Sequence, residues 1–146
     1  MNQVNDHHLP FPFPGRTELS IRGQSREDVV VAELATSVIE KFQSASYRNG
    51  IDPDLPLALY FDNPSVQSYC LQNYLLPLEL IQVEYGTGKV SGIALLAPNP
   101  YPGSMIQAFS GLSSVILAAP GFIAKHNIEV QHSFITLKSI NYAKQA

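Results

Sequence analysis

The stretch Ser25-Arg26-Glu27-Asp28-Val29-Val30-Val31-Ala32-Glu33-Leu34-Ala35-Thr36-Ser37-Val38-Ile39-Glu40-Lys41-Phe42 decides how the fold class is read. Val31, Leu34, Ala35, Val38 and Phe42 recur at helical spacing and form one apolar stripe, with Glu33, Glu40 and Lys41 off it. Ser25 with Asp28 three residues on has the form of a capping box, and Glu27 and Asp28 suit the positive end of a helix dipole. The expectation is an amphipathic helix that opens at Ser25 and carries its core-facing stripe to Phe42.

On the N-terminal side, Thr17 to Arg22 alternates as a short strand closed by Gly23. Before it, Leu9-Pro10-Phe11-Pro12-Phe13-Pro14-Gly15-Arg16 alternates apolar side chains with prolines. Proline fixes φ and extends its predecessor, so this is a stiff strut of roughly 25 Å. Leu9, Phe11 and Phe13 are too apolar for a solvated linker. Residues 1–16 are therefore expected to form an arm that docks on its own domain or on a neighbour, and residues 17–146 a single domain.

On the C-terminal side, Leu55 to Phe61 is a short apolar run ending at Asp62-Asn63-Pro64, which suits a buried strand followed by a helix from Pro64 to about Tyr74. Leu78 to Tyr85 and Lys89 to Leu96 flank Gly86-Thr87-Gly88 and predict an antiparallel hairpin. After a proline-rich loop at 98–103, a helix is expected from Ser104 to Ala118 with Met105, Phe109, Leu112 and Ile116 as its stripe. Pro120-Gly121 suits a type II turn. Asn127 to Lys138 reads as a final strand with Ile128, Val130, His132 and Phe134 on one face. The expected fold is an α+β two-layer sandwich, with a largely antiparallel sheet and about three helices in the order β-α-β-α-β-β-α-β.

Composition limits the function. The 146 residues include nine Lys and Arg against twelve Asp and Glu, for a net charge of −3, so no basic surplus exists for a phosphate backbone. Nucleic-acid binding is not expected. Charged residues make up 14% of the chain, and the deficit is local: between Lys89 and Lys125 lie 35 residues with no charge. The run from Ser104 to Ala124 has the length of a membrane span, but its serines, Gln107 and Pro120 make it too polar for one. Cys70 is the single cysteine, so there is no internal disulfide or thiolate cluster. The polar start, Met1 to His8, does not read as a secretory signal, which points to cytoplasmic synthesis.

No catalytic set emerges. Gly86-Thr87-Gly88-Lys89 lacks the spacing and the following Ser or Thr of a phosphate loop. His7, His8, His126 and His132 show no metal-ligand spacing, and His132 is expected in the core. Glu79 and Glu84 have an odd separation and are expected on opposite faces of a strand unless a bulge intervenes, so no carboxylate pair is expected. No enzyme activity, cofactor or metal is therefore expected.

Low charge, a Pro/Phe arm and abundant tyrosine favour interface cores. The expected function is that of a structural subunit that self-associates or packs on a partner protein, as in a shell, tail or cement layer, with a virion component among the settings it fits. Its interface candidates are Leu9, Phe11, Phe13, Tyr101, Met105 and Phe109. The alternative is a small-molecule-binding domain with an aromatic pocket between the 78–96 hairpin and the 104–118 segment, lined by Tyr85, Phe109 and His132.

Overall fold

A computed structural model describes residues 15–37, 40–41, 51–63, 65, 67–71, 76–97 and 105–138, with backbone alone for 67–71 and 105–109. The described residues are mostly strand: β1 (Gly15–Arg22), β2 (Glu27–Ala35), β3 (Leu57–Tyr60), β4 (Gln67–Leu71), β5 (Leu78–Glu84), β6 (Val90–Leu96), β7 (Met105–Phe109), β8 (Leu112–Ala118), a short helix α1 (Phe122–Lys125) and β9 (Phe134–Leu137). Seven strands form one mixed sheet in the order β6-β5-β8-β3-β2-β1-β9, and β4 pairs with β7 in a separate ribbon. Every neighbouring pair is antiparallel except β2 with β3.

This overturns the α+β sandwich and its three helices. The segment expected to be a helix from Ser25 is β2, which folds back on β1 through a turn closed by Gly23 N–H donating to the Arg26 carbonyl. Three consecutive valines resist helix and favour a pleated surface. Alternation then decides burial. Ala32 and Leu34 turn into the core, while Val31, part of the supposed stripe, is 47% exposed. A capping box does exist, but twelve residues further on: Glu40 N–H donates to Ser37 Oγ, and Glu40 Oε1 accepts from the Thr36 and Ser37 backbones.

Strand β4 takes the place of the helix expected from Pro64, and β7 and β8 replace the helix at 104–118. Between these two strands Gly111 sits at φ 79°, a left-handed conformation that no helix interior tolerates. β8 is central, with β5 on one side and β3 on the other, so its Val115 to Ala118 run is buried on both faces. That accounts for an apolar, uncharged run in a strand.

The hairpin of β5 and β6 is present, with a bulge between Gln82 and Val83. Gly86 to Lys89 is its turn, where Glu84 and Thr87 hydrogen-bond to each other. The long final strand is not. Residues 126–133 form turns in which Asn127 and Gln131 have φ of 52° and 70°, and only Phe134–Leu137 is strand. The alternation is also inverted, with Ile135 buried and His132 exposed.

The sheet curls until its edges meet. Val90 N–H donates to the Ser133 carbonyl, Gln131 N–H to the Val90 carbonyl and Ile135 N–H to the Gly88 carbonyl, each at 2.8 Å. These bonds, with an antiparallel bridge from Lys89 to Phe134, join the start of β6 to β9 and close one end of a barrel. The interior takes residues from all seven strands, among them Leu19, Ala32, Ala58, Ile81, Val90, Ile116 and Ile135. Phe122 of α1 and Ile128 plug the far end. A second cluster, including Leu57, Leu59, Phe61, Leu80 and Val115, occupies the opposite face of the sheet.

Candidate functional site

The barrel has two ends, and each gathers polar groups. At the plugged end, a cleft of about 210 Å³ is lined by Gly23 to Arg26, His126, Asn127, Glu129 and Ser133. His126 Nδ1 lies 2.7 Å from Asp28 Oδ2, and Arg26 Nη2 reaches the same oxygen at 2.9 Å and the Lys125 carbonyl at 2.7 Å. The His126 ring also stacks at a tilt on Phe122, with centroids 4.5 Å apart. The hydrogen bond from His126 holds the Asp28 carboxyl below its ordinary range, with Arg26 adding to the effect. These groups tie α1 to the β1–β2 turn across 98 residues of sequence, which makes them a clamp on the plug. Glu79 secures the same helix, since its two carboxylate oxygens accept from the Gly121 and Ile123 backbones at 2.9 and 2.8 Å.

At the closed end, a mouth of about 280 Å³ opens between β3, β8, β9 and the β5–β6 turn. Tyr60, Gly86, Thr87, Gly88, Ser113, Ser114, Ile135, Thr136 and Leu137 line it. Tyr60 and Ser114 are direct cross-strand partners, and Ser114 pairs with Val83 on its other side. Strand alternation turns both side chains inward, since Ala58 and Ile116, two residues away on the same strands, lie in the barrel core. Ser114 is 0% exposed, and among the described residues its Oγ is the one buried side-chain polar atom without a hydrogen-bond partner. Burial first, then nearby Asp62 and Tyr85, raises the Tyr60 pKa, so its hydroxyl keeps its proton. Lys41 Nζ donates to the Tyr60 carbonyl at 2.9 Å and sits 4.2 Å from the centre of the Phe61 ring.

The structure regroups the residues singled out from sequence. Tyr85 is exposed beside the mouth, not in a pocket wall, and His132 is exposed on a turn. Met105 and Phe109 are on β7, a strand and not a helix, where only backbone is described, and so is Phe109 as a pocket residue. Leu9, Phe11, Phe13 and Tyr101 lie outside the described residues. Cys70 is on β4, not on a helix. Glu79 and Glu84 do not meet, each being engaged by its own loop. Among the described residues no three His, Cys, Asp or Glu side chains converge as metal ligands, and no helix is long and apolar enough to cross a membrane.

Sequence reasoning missed His126 and Ser114. His126 carried no local signal, because its partner is set by the barrel. Ser114 did carry one, a serine directly before the apolar run Val115 to Ala118.

A third polar feature is the outer edge of β6. From Ser91 to Leu96 this strand pairs with β5 alone, and no described residue bonds its other edge. Ile93 and Leu95 oppose Ile81 and Glu79, on the inner face of the sheet, yet they are 41% and 68% exposed because the barrel stays open there.

No known protein family and no curated protein matches the chain. Solved structures resemble it in fold, two of which are as follows. One, from Sinorhizobium meliloti 1021 and named a "putative transcription regulator", is 15% identical with a TM-score of 0.69 over 87% of this chain and 97% of its own. The other, a protein of unknown function from Novosphingobium aromaticivorans, is 20% identical with a TM-score of 0.63 over 82% of this chain and 83% of its own. At these identities the likeness is one of fold, a curled strand-rich domain.

Proposed function

We propose that the protein is a non-enzymatic subunit that associates with further copies of itself, and that the open edge of β6 carries the contact. The supporting observation is the Ser91–Leu96 edge: its outward-facing backbone donors and acceptors meet no described residue, it has no charge and no proline, and Ile93 and Leu95 are exposed. Proteins normally blunt such edges with lysine, proline or a covering element. An antiparallel meeting of two β6 edges is self-complementary, which is the requirement for a two-fold interface. Leu9, Phe11 and Phe13 of the N-terminal arm supply a second contact in this reading and extend pairs into a larger assembly, such as a shell or tail of a virion.

The affinity expected is modest. Burying the exposed parts of Ile93 and Leu95 is worth about 1–3 kcal/mol per copy, against several kcal/mol lost on association. Sedimentation velocity on the full chain from low micromolar to submillimolar concentration is the test. Concentration-dependent association, abolished by Leu95→Lys, is the expected result. A wild-type chain that stays monomeric throughout the range sinks the proposal.

A further inference from the structure

We propose that the strand seated on the open edge of β6 is the proline and phenylalanine arm of a second copy, paired through the backbones of Leu9, Phe11 and Phe13. The inference rests on the reading that this edge carries self-association, and it names the segment that binds there in preference to a second β6.

Backbone direction comes first. Phe61 N–H donates to the Ser113 carbonyl across β3 and β8. Counted in alternate residues through the β3–β8, β8–β5 and β5–β6 registers, this bond turns the backbone groups of Gly92, Ala94 and Leu96 towards β5 and those of Ile93 and Leu95 towards the open side. Ile93 and Leu95 thus offer one donor and one acceptor each, beside their own exposed side chains. Nearer the start of the strand, Gln131 and Ser133 already occupy the edge at Val90.

The arm has a matching pattern. In Leu9-Pro10-Phe11-Pro12-Phe13-Pro14 each residue that keeps its N–H is followed by one that has none. Extended backbone turns the polar groups of alternate residues to opposite sides, so every donor of this segment lies on one side. Leu9, Phe11 and Phe13 each precede a proline, which holds them extended. A segment of this kind fits a sheet only as its edge strand. Directly opposed residues share a face, so against Ile93 and Leu95 the Leu9, Phe11 and Phe13 side chains fall on the open inner face of the barrel. Three large apolar side chains then cover that pair, where a second β6 brings only its own Ile93 and Leu95. The prolines, facing away, end the sheet after one added strand.

Reach decides whose arm it is. Phe134 pairs with Arg22 of β1 and bridges to Lys89, so these residues share one level of the barrel. β9 is antiparallel to both neighbours, and β1 and β6 therefore run the same way. Gly15 lies seven residues below that level and Ile93 four residues above it, a separation of about 36 Å. Leu9, six residues before Gly15, extends no further than about 22 Å. A chain's own arm falls short of its own β6 edge; the arm of another copy does not. Each copy gives an arm and receives one, a heterologous contact that links copies into a ring or an open chain.

The test mixes two full-length variants. Leu95→Lys charges the edge at an exposed position and leaves the arm intact, and Phe11→Ser with Phe13→Ser spoils the arm and leaves the edge intact. In sedimentation velocity each variant alone should associate at least about tenfold more weakly than the wild-type chain. An equal mixture should form a one-to-one complex, because one variant supplies the arm and the other the edge. Amide shifts in the isotope-labelled arm variant, on addition of the unlabelled edge variant, should centre on Ile93 and Leu95. A capped peptide of residues 8–14 should also dissociate the wild-type assembly. Undiminished association of the arm variant overturns this inference and leaves the contact between two β6 edges standing. A mixture that stays monomeric, a peptide without effect, or shifts centred on Val29 and Val31, another exposed apolar pair, overturns it as well. A monomeric wild-type chain removes both this inference and the reading beneath it.

Discussion

Replacing Ser114 by alanine should make the protein more stable. The hydroxyl is 0% exposed, lies between Tyr60 on β3 and Val83 on β5, and has no partner among the described residues. A buried hydroxyl taken out of water without compensation costs about 1–3 kcal/mol. Alanine removes that cost and leaves only the volume of one oxygen atom. The net gain should be about 1 kcal/mol, which for a chain of this length raises the melting temperature by about 2–4 °C. Urea unfolding is the assay, and the midpoint should rise with an unchanged slope, since the surface exposed on unfolding is the same. Ser114→Val should go the other way, because extra carbon atoms must fit beside Tyr60 and Val83, at about 1–3 kcal/mol for overpacking. A loss of 1 kcal/mol or more in Ser114→Ala refutes the reasoning, since it means that the hydroxyl is paired in the folded protein.

Two further outcomes test the plugged end. Glu79→Ala strips the acceptors from the Gly121 and Ile123 backbones and should cost about 1–2 kcal/mol, read from urea unfolding; a change within experimental error would mean that solvent serves those groups equally well. Asp28 has a folded-state pKa below its ordinary 3.8, so its contribution is complete above that pH and is lost as pH falls through the folded-state value. Thermal melts should therefore show Asp28→Asn less stable than wild type at neutral pH, with the gap closing below about pH 3.8. A gap that persists unchanged into strong acid rules out the carboxylate as its source.

Part of this fold was legible from short-range chemistry. The β5–β6 hairpin followed from two alternating runs around Gly86-Thr87-Gly88, and the strand at Leu57–Tyr60 from its compact apolar run. The turn at Pro120-Gly121 is real, with Gly121 at φ 101°. Where reading failed, two periods competed. Val31, Leu34 and Ala35 fit a helix, but Ala32 and Leu34 fit a strand equally well, and the consecutive valines favoured the strand. At 104–118 the apolar spacing hid a break at Gly111. At 127–138 strict alternation was carried back across Gln131 and Asn127, whose left-handed backbones end it.

The candidate site was less legible than the fold. His132 stood out because it sat in an alternating run, yet it faces solvent, while His126 stood in a turn with no pattern and is only 8% exposed, bonded to Asp28. A residue's alternation reports its neighbours along the chain. The partner that gives it a role here lies 98 residues away.

By itself, the sequence determined the charge balance, the single cysteine, the concentration of uncharged residues between Lys89 and Lys125, and the local turns that glycine and proline enforce. The tertiary structure alone decided that Glu27–Ala35, Gln67–Leu71, Met105–Phe109 and Leu112–Ala118 are strands and not helices, that the sheet curls until β9 meets β6, and that this closure leaves Ile93 and Leu95 exposed and Ser114 buried without a partner among the described residues. The physical reason is that a strand's hydrogen bonds are made to other segments of the chain. Local periodicity limits which face a residue can take, and only the assembled barrel determines what that face meets.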